Sequence, residues 1–423
     1  MSPAGWLLEM RVFGEDISAA KAHFDGTHRA ISPADTLSWL DPIAKRLGVT
    51  RVGKVSGLDI IDVPVWVAIR PNSRGLSASQ GKGLTDDAAR VSATMESVEN
   101  WHGENIAAPV RIASHETLSE HHTAISPLLL SHYSDAPPRA DMALPWVEGF
   151  DLFSQEPCWV PLETVSTDYV VGSDMRLRAT FVQSSNGLAG GNHVLEAIEH
   201  GLAELIERHV IAHTADRIRA FDPSIRVDPA SVQHPACREV LDRLNAAGMQ
   251  TAIFDLPSEL GVPVFAASII EADTGKRLRV LPPFNGYGCH LDSGIALLRA
   301  LTEAVQSRVT YITGSRDDIS YAEYQRSGNP DEQRSYLNLF AGEAPNAFQH
   351  IRQDQDSFEG DIAVFLERLK AVGIESAVAF DLRHATIEVP VTKMVVPGLD
   401  APESLIRGRP VTALKATSKR EAA

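Results

Sequence analysis

Cysteine is scarce. Among 423 residues there are three, Cys158, Cys237 and Cys289, scattered and without a CxxC pair. An odd, dispersed set argues against a disulfide framework and against a cysteine-rich zinc site. Basic residues are outnumbered, Lys+Arg 39 against Asp+Glu 55, for a formal net charge of -16. A nucleic-acid footprint needs a clustered basic excess, so no nucleic-acid partner is expected. Long apolar runs are missing too: nothing approaches the roughly 18 residues of a membrane span. The opening MSPAGWLLEMRVFGED has no basic n-region and no signal-type apolar run. Together these absences predict a soluble, cytoplasmic protein that works without a membrane. What remains is ordinary globular composition, 44% hydrophobic and 22% charged, in a chain long enough for a large core.

Residues 1–28 read as a loosely structured lead-in, 29–400 as the main domain and 401–423 as a polar C-terminal tail. A helix is expected near Ser32, with Ser32 as N-cap and Pro33 in the first helical position. DVPVWVAIRPN (62–72) reads as a strand, and LTDDAARVSATMESVENWHGENI as a helix with acidic residues at its start. Residues 106–185 read as strands and loops. NHVLEAIEHGLAELIERHVIAH is a second strong helix, and QHPACREVLDRLNAAGM a third, ended by Gly248. QTAIFDLPSELGVPVFAASIIEA reads as two strands joined by a turn. SGIALLRALTEAVQSRVTYITG is a long helix closed by Gly314. One helix and two strands fill 360–400. Strands follow one another without a βαβ rhythm, which predicts an α+β fold with antiparallel sheets.

A polar spacing recurs on the helices. Ser92, Glu96 and Glu99 stand at i, i+4 and i+7, within about 60° of helix face. Asn192, Glu196 and Glu199 repeat it, as do His200, Glu204 and Glu207, and Arg299, Glu303 and Gln306. A solvated helix face produces this spacing by itself. Yet Glu196, Glu204 and Glu207 crowd about 80° of one helix, and like charges at such spacings cost roughly 0.2–0.5 kcal/mol per pair. Two glycine-rich stretches, SASQGKG and SSNGLAGGN, precede the first two helices and read as turns whose N–H groups suit phosphate oxygens. The first is no P-loop, since Gly83 follows Lys82 where Ser or Thr is required. Carboxylates suit Mg²⁺. The residues alone therefore leave two readings: a solvated face, or a nucleotide–Mg²⁺ site.

SQGKGLTDDAARVSATMESVENW, SSNGLAGGNHVLEAIEHGLAELIERH and LLRALTEAVQSR together resemble the three signature segments of the YcaO superfamily, in its order. The resemblance runs from about Gly26 to Gly398. The opening segment DGTHRAISPADTLSWLDPIAKRLGVTRVGKVSGLDIIDVPVWVAIRPNSR resembles the stand-alone branch associated with a TfuA-like partner. The resemblance implies a YcaO-like α+β fold, antiparallel sheets surrounded by helices that carry an ATP–Mg²⁺ site. It assigns Glu96, Glu99, Glu196, Glu199, Glu204 and Glu207 to Mg²⁺. It assigns Arg29, Thr36, Lys82, Ser92, Glu96, Asn192, Arg208, Arg299 and Glu303 to ATP, and Arg208, Arg299 and Glu303 to catalysis.

The implied chemistry is ATP-dependent O-phosphorylation of a backbone amide in a peptide or protein substrate. Thioamide formation with a TfuA-like partner and a sulfur donor is one outcome. Cyclodehydration of Cys, Ser or Thr to an azoline is the alternative, and a non-catalytic peptide-binding scaffold a second one. Azoline-forming relatives commonly carry a Pro-x-Pro-x-Pro tail. Here Pro397, Pro402 and Pro410 are not so spaced and the sequence closes on ATSKREAA, which favours thioamidation. A homodimer is the base-rate expectation. YGCH invites a nucleophilic Cys289 beside His290, but reads more simply as a buried cysteine in a glycine-rich turn. His200 and His209 read as packing or surface residues, Met95 and Trp101 as core.

Overall fold

The computed structural model describes residues 11–132, 137–170, 180–272, 281–316, 319, 324 and 330–402. In chain order the first strands are β1 (Arg11–Val12), β2 (Glu15–Asp16), β3 (Arg51–Lys54), β4 (Val65–Ile69) and β5 (Ala78–Lys82). Then come β6 (Val110–Ala113), β7 (Leu144–Asp151), β8 (Glu156–Pro161) and β9 (Leu188–Gly190). The last are β10 (Arg226–Val227), β11 (Met249–Asp255), β12 (Val264–Glu271), β13 (Phe284–Cys289), β14 (Val378–Asp381) and β15 (Val391–Val395). The helices are α1 (Pro33–Arg46), α2 (Asp86–Glu104), α3 (His115–Ser119) and α4 (Val194–Arg219). They continue with α5 (Pro235–Ala246), α6 (Ser293–Thr313), α7 (Pro330–Phe340) and α8 (Phe358–Ala371). The polar tail expected over 401–423 lies, beyond Pro402, outside the described residues.

The chain forms two compact units. One is nested in sequence, His23–Ser97 with Thr214–Gln353; the other takes Met1–Ala22, Val98–His213 and Asp354–Ala423. Each is α+β with antiparallel pairing, as expected. In the nested unit, β3-β4-β5 form one sheet and β10-β11-β12-β13 another. The expected hairpin is there: β11 and β12 pair from Met249↔Glu271 to Asp255↔Phe265. Every residue of β12 is buried, as a central strand covered on both faces must be. The core joins α6 (Leu297, Leu301, Val305) to α5 (Val240, Leu244), to Phe265 and Ile269 of β12 and to Val65 of β4. Each such side chain, fully removed from water, contributes about 1.5–3 kcal/mol. Helix ends follow local chemistry. Ser32 caps α1 by accepting the Asp35 amide, Pro33 opens the helix, and Gly314 closes α6 in the left-handed region at φ 58.

In the other unit, β6-β7-β14-β15-β9 form one sheet, with β8 paired to the free side of β7. β14 and β15 come last in the chain and lie in the middle of the sheet. The lead-in is less loose than its composition suggests. β1 and β2 pair, and Lys21 is buried, its Nζ 2.6 Å from Asp361 of α8. One short helix, α3, falls in the stretch expected to hold only strands and loops; Ser114 caps it by accepting the Thr117 amide.

Three glycine-bearing stretches expected as turns are corrected. SASQGKG contains β5, SSNGLAGGN contains β9, and YGCH lies at the end of β13. The glycines serve close packing instead. A Cβ on Gly81 would lie 2.0 Å from the Ala93 amide of α2, and one on Gly286 2.2 Å from the Ala304 amide of α6. A strand glycine here lets a helix backbone rest directly on the sheet.

Candidate functional site

Each helix that carries the recurring polar triplet follows a strand, and that strand or the loop beside it turns backbone amides onto the helix's glutamates. In the nested unit, the Gln80 amide of β5 donates to Glu96 Oε2 at 3.2 Å. The Tyr287 amide of β13 donates to Glu303 Oε1 at 3.3 Å. In the other unit, the Gly190 amide of β9 donates to Glu99 Oε1 at 2.6 Å. The Asn192 amide donates to Glu196 Oε2 at 3.3 Å, and the Gly187 amide to Glu204 Oε2 at 3.1 Å. A backbone N–H on a carboxylate stabilises the charged form and fixes the side chain's direction. Of the amides in the two glycine-rich stretches expected to suit phosphate, those of Gln80, Gly187, Gly190 and Asn192 face these carboxylates.

The nested unit brings Lys82 of β5 to Glu303 of α6, Nζ to Oε2 at 2.9 Å, with both side chains about a quarter exposed or less. Gln306, one turn beyond Glu303, donates to the Gln80 carbonyl at 2.9 Å. Ser92 and Arg299 are half-buried on α2 and α6. Thr36 is buried, and its hydroxyl donates to the Ser32 carbonyl at 2.9 Å inside the first turn of α1. Arg29 pairs through its backbone with His23, 3.0 Å in both directions.

The other unit resolves the puzzle of α4. Three of its four glutamates are buried: Glu196 is 1% exposed, Glu199 5% and Glu207 3%. A solvated face is excluded. Arg208 reaches both Glu204 and Glu207 at 3.5 Å. Asn192 sits two residues before the helix begins and donates to Glu196 through its side chain as well, at 3.4 Å. The donor set is all oxygen, with carboxylates outnumbering cations along one helix. That fits a hard divalent ion such as Mg²⁺, which neutralises buried carboxylates and accepts oxygen ligands.

One further residue of this group escaped the sequence reading. Lys393 of β15 is 2% exposed and donates to the Ser184 carbonyl at 2.6 Å and the Asn186 carbonyl at 2.7 Å. Burial lowers its pKa to about 8, and the nearby Glu204 carboxylate acts the other way. The available signal was a single lysine inside the apolar run VPVTKMVV. The cysteines play no part in the group. All three are buried and outside disulfides, and burial pushes the Cys158 and Cys237 thiols up to about 12, far from a reactive thiolate. His209 is buried and accepts the Asp400 amide at 3.0 Å. No described helix is long and apolar enough to cross a membrane.

Comparison with known proteins gives a consistent result. The family model described as YcaO cyclodehydratase, ATP- and Mg²⁺-binding, matches residues 80–400. A protein of Rhizobium leguminosarum bv. trifolii, known as an uncharacterized protein in the tfuA 3' region, is 34% identical over 400 residues, 93% of each chain. Among solved structures, a YcaO from Methanopyrus kandleri bound with AMPPCP and Mg²⁺ superposes with TM-score 0.70 at 22% identity, covering 90% of this chain and 95% of that one. A heterocyclase in complex with substrate and cofactor gives TM-score 0.72 at 22% identity, covering 93% of this chain and 55% of that one. At these identities the two structures speak for the fold.

Proposed function

We propose a function that starts from the family. The chain belongs to the YcaO family, which binds ATP and Mg²⁺. Its activity is ATP-dependent modification of a peptide, by activation of a backbone amide. The observation that carries this reading is the α4 row: buried Glu196, Glu199 and Glu207, with Glu204 and Arg208 alongside. Such a row has no use in a scaffold that only holds a peptide, since each buried carboxylate destabilises the chain unless a cation answers it.

Glu96, Glu99, Glu196, Glu199, Glu204 and Glu207 are the proposed Mg²⁺ ligands. Ser92 and Asn192 hold nucleotide oxygens, with Arg29 and Thr36 as further nucleotide contacts. Lys82, Arg208 and Arg299 supply positive charge to the phosphates, and Glu303 keeps Lys82 in place. When bound, ATP and Mg²⁺ supply an electrophilic γ-phosphorus and the charge to accept electrons there. The amide chemistry follows from leaving-group ability. A nucleophile adds to the carbonyl carbon, and the resulting oxyanion attacks the γ-phosphorus as ADP departs. The carbon–oxygen bond then breaks, and the former amide oxygen leaves as phosphate. With sulfide as the nucleophile, a proton is lost from sulfur and a thioamide remains. Fixed charges held by backbone amides suit this work, because catalysis is mostly positioning and charge neutralisation.

Thioamidation with a TfuA-like partner is the preferred product, supported by the gene neighbourhood of the Rhizobium relative. Azoline formation is the second reading, supported by the cyclodehydratase description of the family. One reaction separates them. Purified protein is mixed with its partner, a substrate peptide, ATP and sulfide, and the peptide is weighed by mass spectrometry. Replacement of oxygen by sulfur supports thioamidation; loss of one water shows cyclodehydration instead. Glu207→Gln should abolish ATP turnover while peptide binding persists. Full turnover in that variant removes Glu207 from the site.

A further inference from the structure

We propose that Lys393 is a positioning residue: by holding the loop Ser184–Gly187 it fixes the amide that aims Glu204. The inference rests on the reading of Glu204 as a ligand of the Mg²⁺–nucleotide complex. It adds a residue that no signature segment contains.

The chain of contacts is short and lies within one unit. The Lys393 ammonium, buried on β15, donates to the carbonyls of Ser184 and Asn186 at 2.6 and 2.7 Å. The next residue, Gly187, stands at φ +79 and donates its amide to Glu204 Oε2 at 3.1 Å. Its carbonyl accepts the Met394 amide at 2.8 Å, so β15 grips the loop on both sides of the aiming amide. A Cβ on Gly187 would lie 2.8 Å from the Met394 carbonyl and 3.1 Å from Leu205, so the position that carries the aiming amide is packed tightly enough to require glycine. The loop is half-buried, with Ser185 exposed, but the two carbonyls turn inward onto a buried side chain, where they need donors. A neutral polar side chain would satisfy them at less desolvation cost than an ammonium. A full positive charge is explained by what stands behind the loop, the Glu204 carboxylate and the acidic row of α4. A lysine there turns loop anchoring and charge balance into one function, and leaves Glu204 free to present its second oxygen, Oε1, toward Arg208, 3.5 Å away.

The test measures binding of a fluorescent non-hydrolysable ATP analogue with Mg²⁺ to the full chain, beside thermal unfolding of each variant. Lys393→Met should weaken that binding on the order of tenfold, as loss of a charged hydrogen-bonding group does. It should also raise the Mg²⁺ needed for half-maximal ATP turnover by more than it lowers turnover at saturating Mg²⁺. In the Glu204→Gln background the same change should add little, because the two residues act through one contact. A purely structural lysine would give additive losses or none, which overturns the proposal. If Lys393→Met does not fold, Lys393→Gln, which keeps a donor for one carbonyl, is judged by the same comparisons. Failure of the underlying reading is recognisable separately: Glu204→Gln alone would then bind the Mg²⁺ analogue like the parent, and both ideas fall.

Discussion

A carboxylate removed from water needs a partner, and this chain solves the problem with backbone amides. Glu96, Glu99, Glu196, Glu204 and Glu303 each accept one N–H from a strand or loop beside their helix. The amides fix the direction of these side chains, while Lys82 beside Glu303 and Arg208 beside Glu204 share in balancing the charge. Asp361 combines both kinds of partner, accepting the Gln355 amide at 2.6 Å as well as a buried lysine. It is fully buried, paired with Lys21 at 2.6 Å, and burial still pushes its carboxyl up to about 6. An unfolded aspartate titrates near 3.9. Between about pH 4 and 6 the folded state therefore holds a proton that the unfolded chain has released. Stability contributed by this group falls as pH rises through that window. Asp361→Asn should flatten this part of the pH dependence, seen as urea midpoints at pH 4.5 and 6.5 that lie closer together than in the parent. A wider gap in the variant would contradict the assignment.

At the scale of elements, glycine separates what was legible from what was not. Ser32, Gly248 and Gly314 mark helix ends in sequence as they do in the structure, because caps are local chemistry. The β11–β12 hairpin was legible from its two apolar runs. β5, β9 and β13 were not: their glycines looked like turn signals. Gly81, Gly286 and Gly288 have no positive φ; what demands glycine is a helix backbone two to three ångströms from the missing Cβ. That need is tertiary and leaves no local trace. The same holds for the site. The i, i+4, i+7 spacing of the glutamates could be read directly, whereas their amide partners, such as Gly190 for Glu99, are set by sheet geometry alone. Gly286→Ala tests the packing claim. Its Cβ would meet α6 backbone at 2.2 and 2.3 Å, and overpacking of this kind costs about 1–3 kcal/mol or more. Gly248→Ala is the control, with φ +74 and open space around it; conformational strain alone should cost it about 1 kcal/mol. Equal urea midpoints for the two would refute the distinction.

For the molecule as a whole, the net charge of -16 includes the candidate Mg²⁺ ligands. An acidic chain repels a nucleotide's phosphates unless a metal ion accompanies them. Ligand stabilisation should therefore need both together. At a hundredfold excess of Mg²⁺–nucleotide over its Kd, binding raises stability by about 2.7 kcal/mol, read as a higher unfolding temperature. Nucleotide with a chelator should give no shift. A shift of the same size without Mg²⁺ would place the phosphates on protein cations alone.

The order of strands also governs how the protein is born. β14 and β15 are the last strands made, yet they stand between β7 and β9 in the sheet order β6-β7-β14-β15-β9. Until Val395 has left the ribosome, the two strands that link β7 to β9 are missing, and Lys21 waits some 340 residues for Asp361. The nested unit, complete by Gln353, can condense first, while the unit that carries α4 is held open. Contacts this distant in sequence fold slowly. Nascent chains released before residue 378 should therefore yield a protease-resistant fragment from the nested unit, with the α4 unit still digestible.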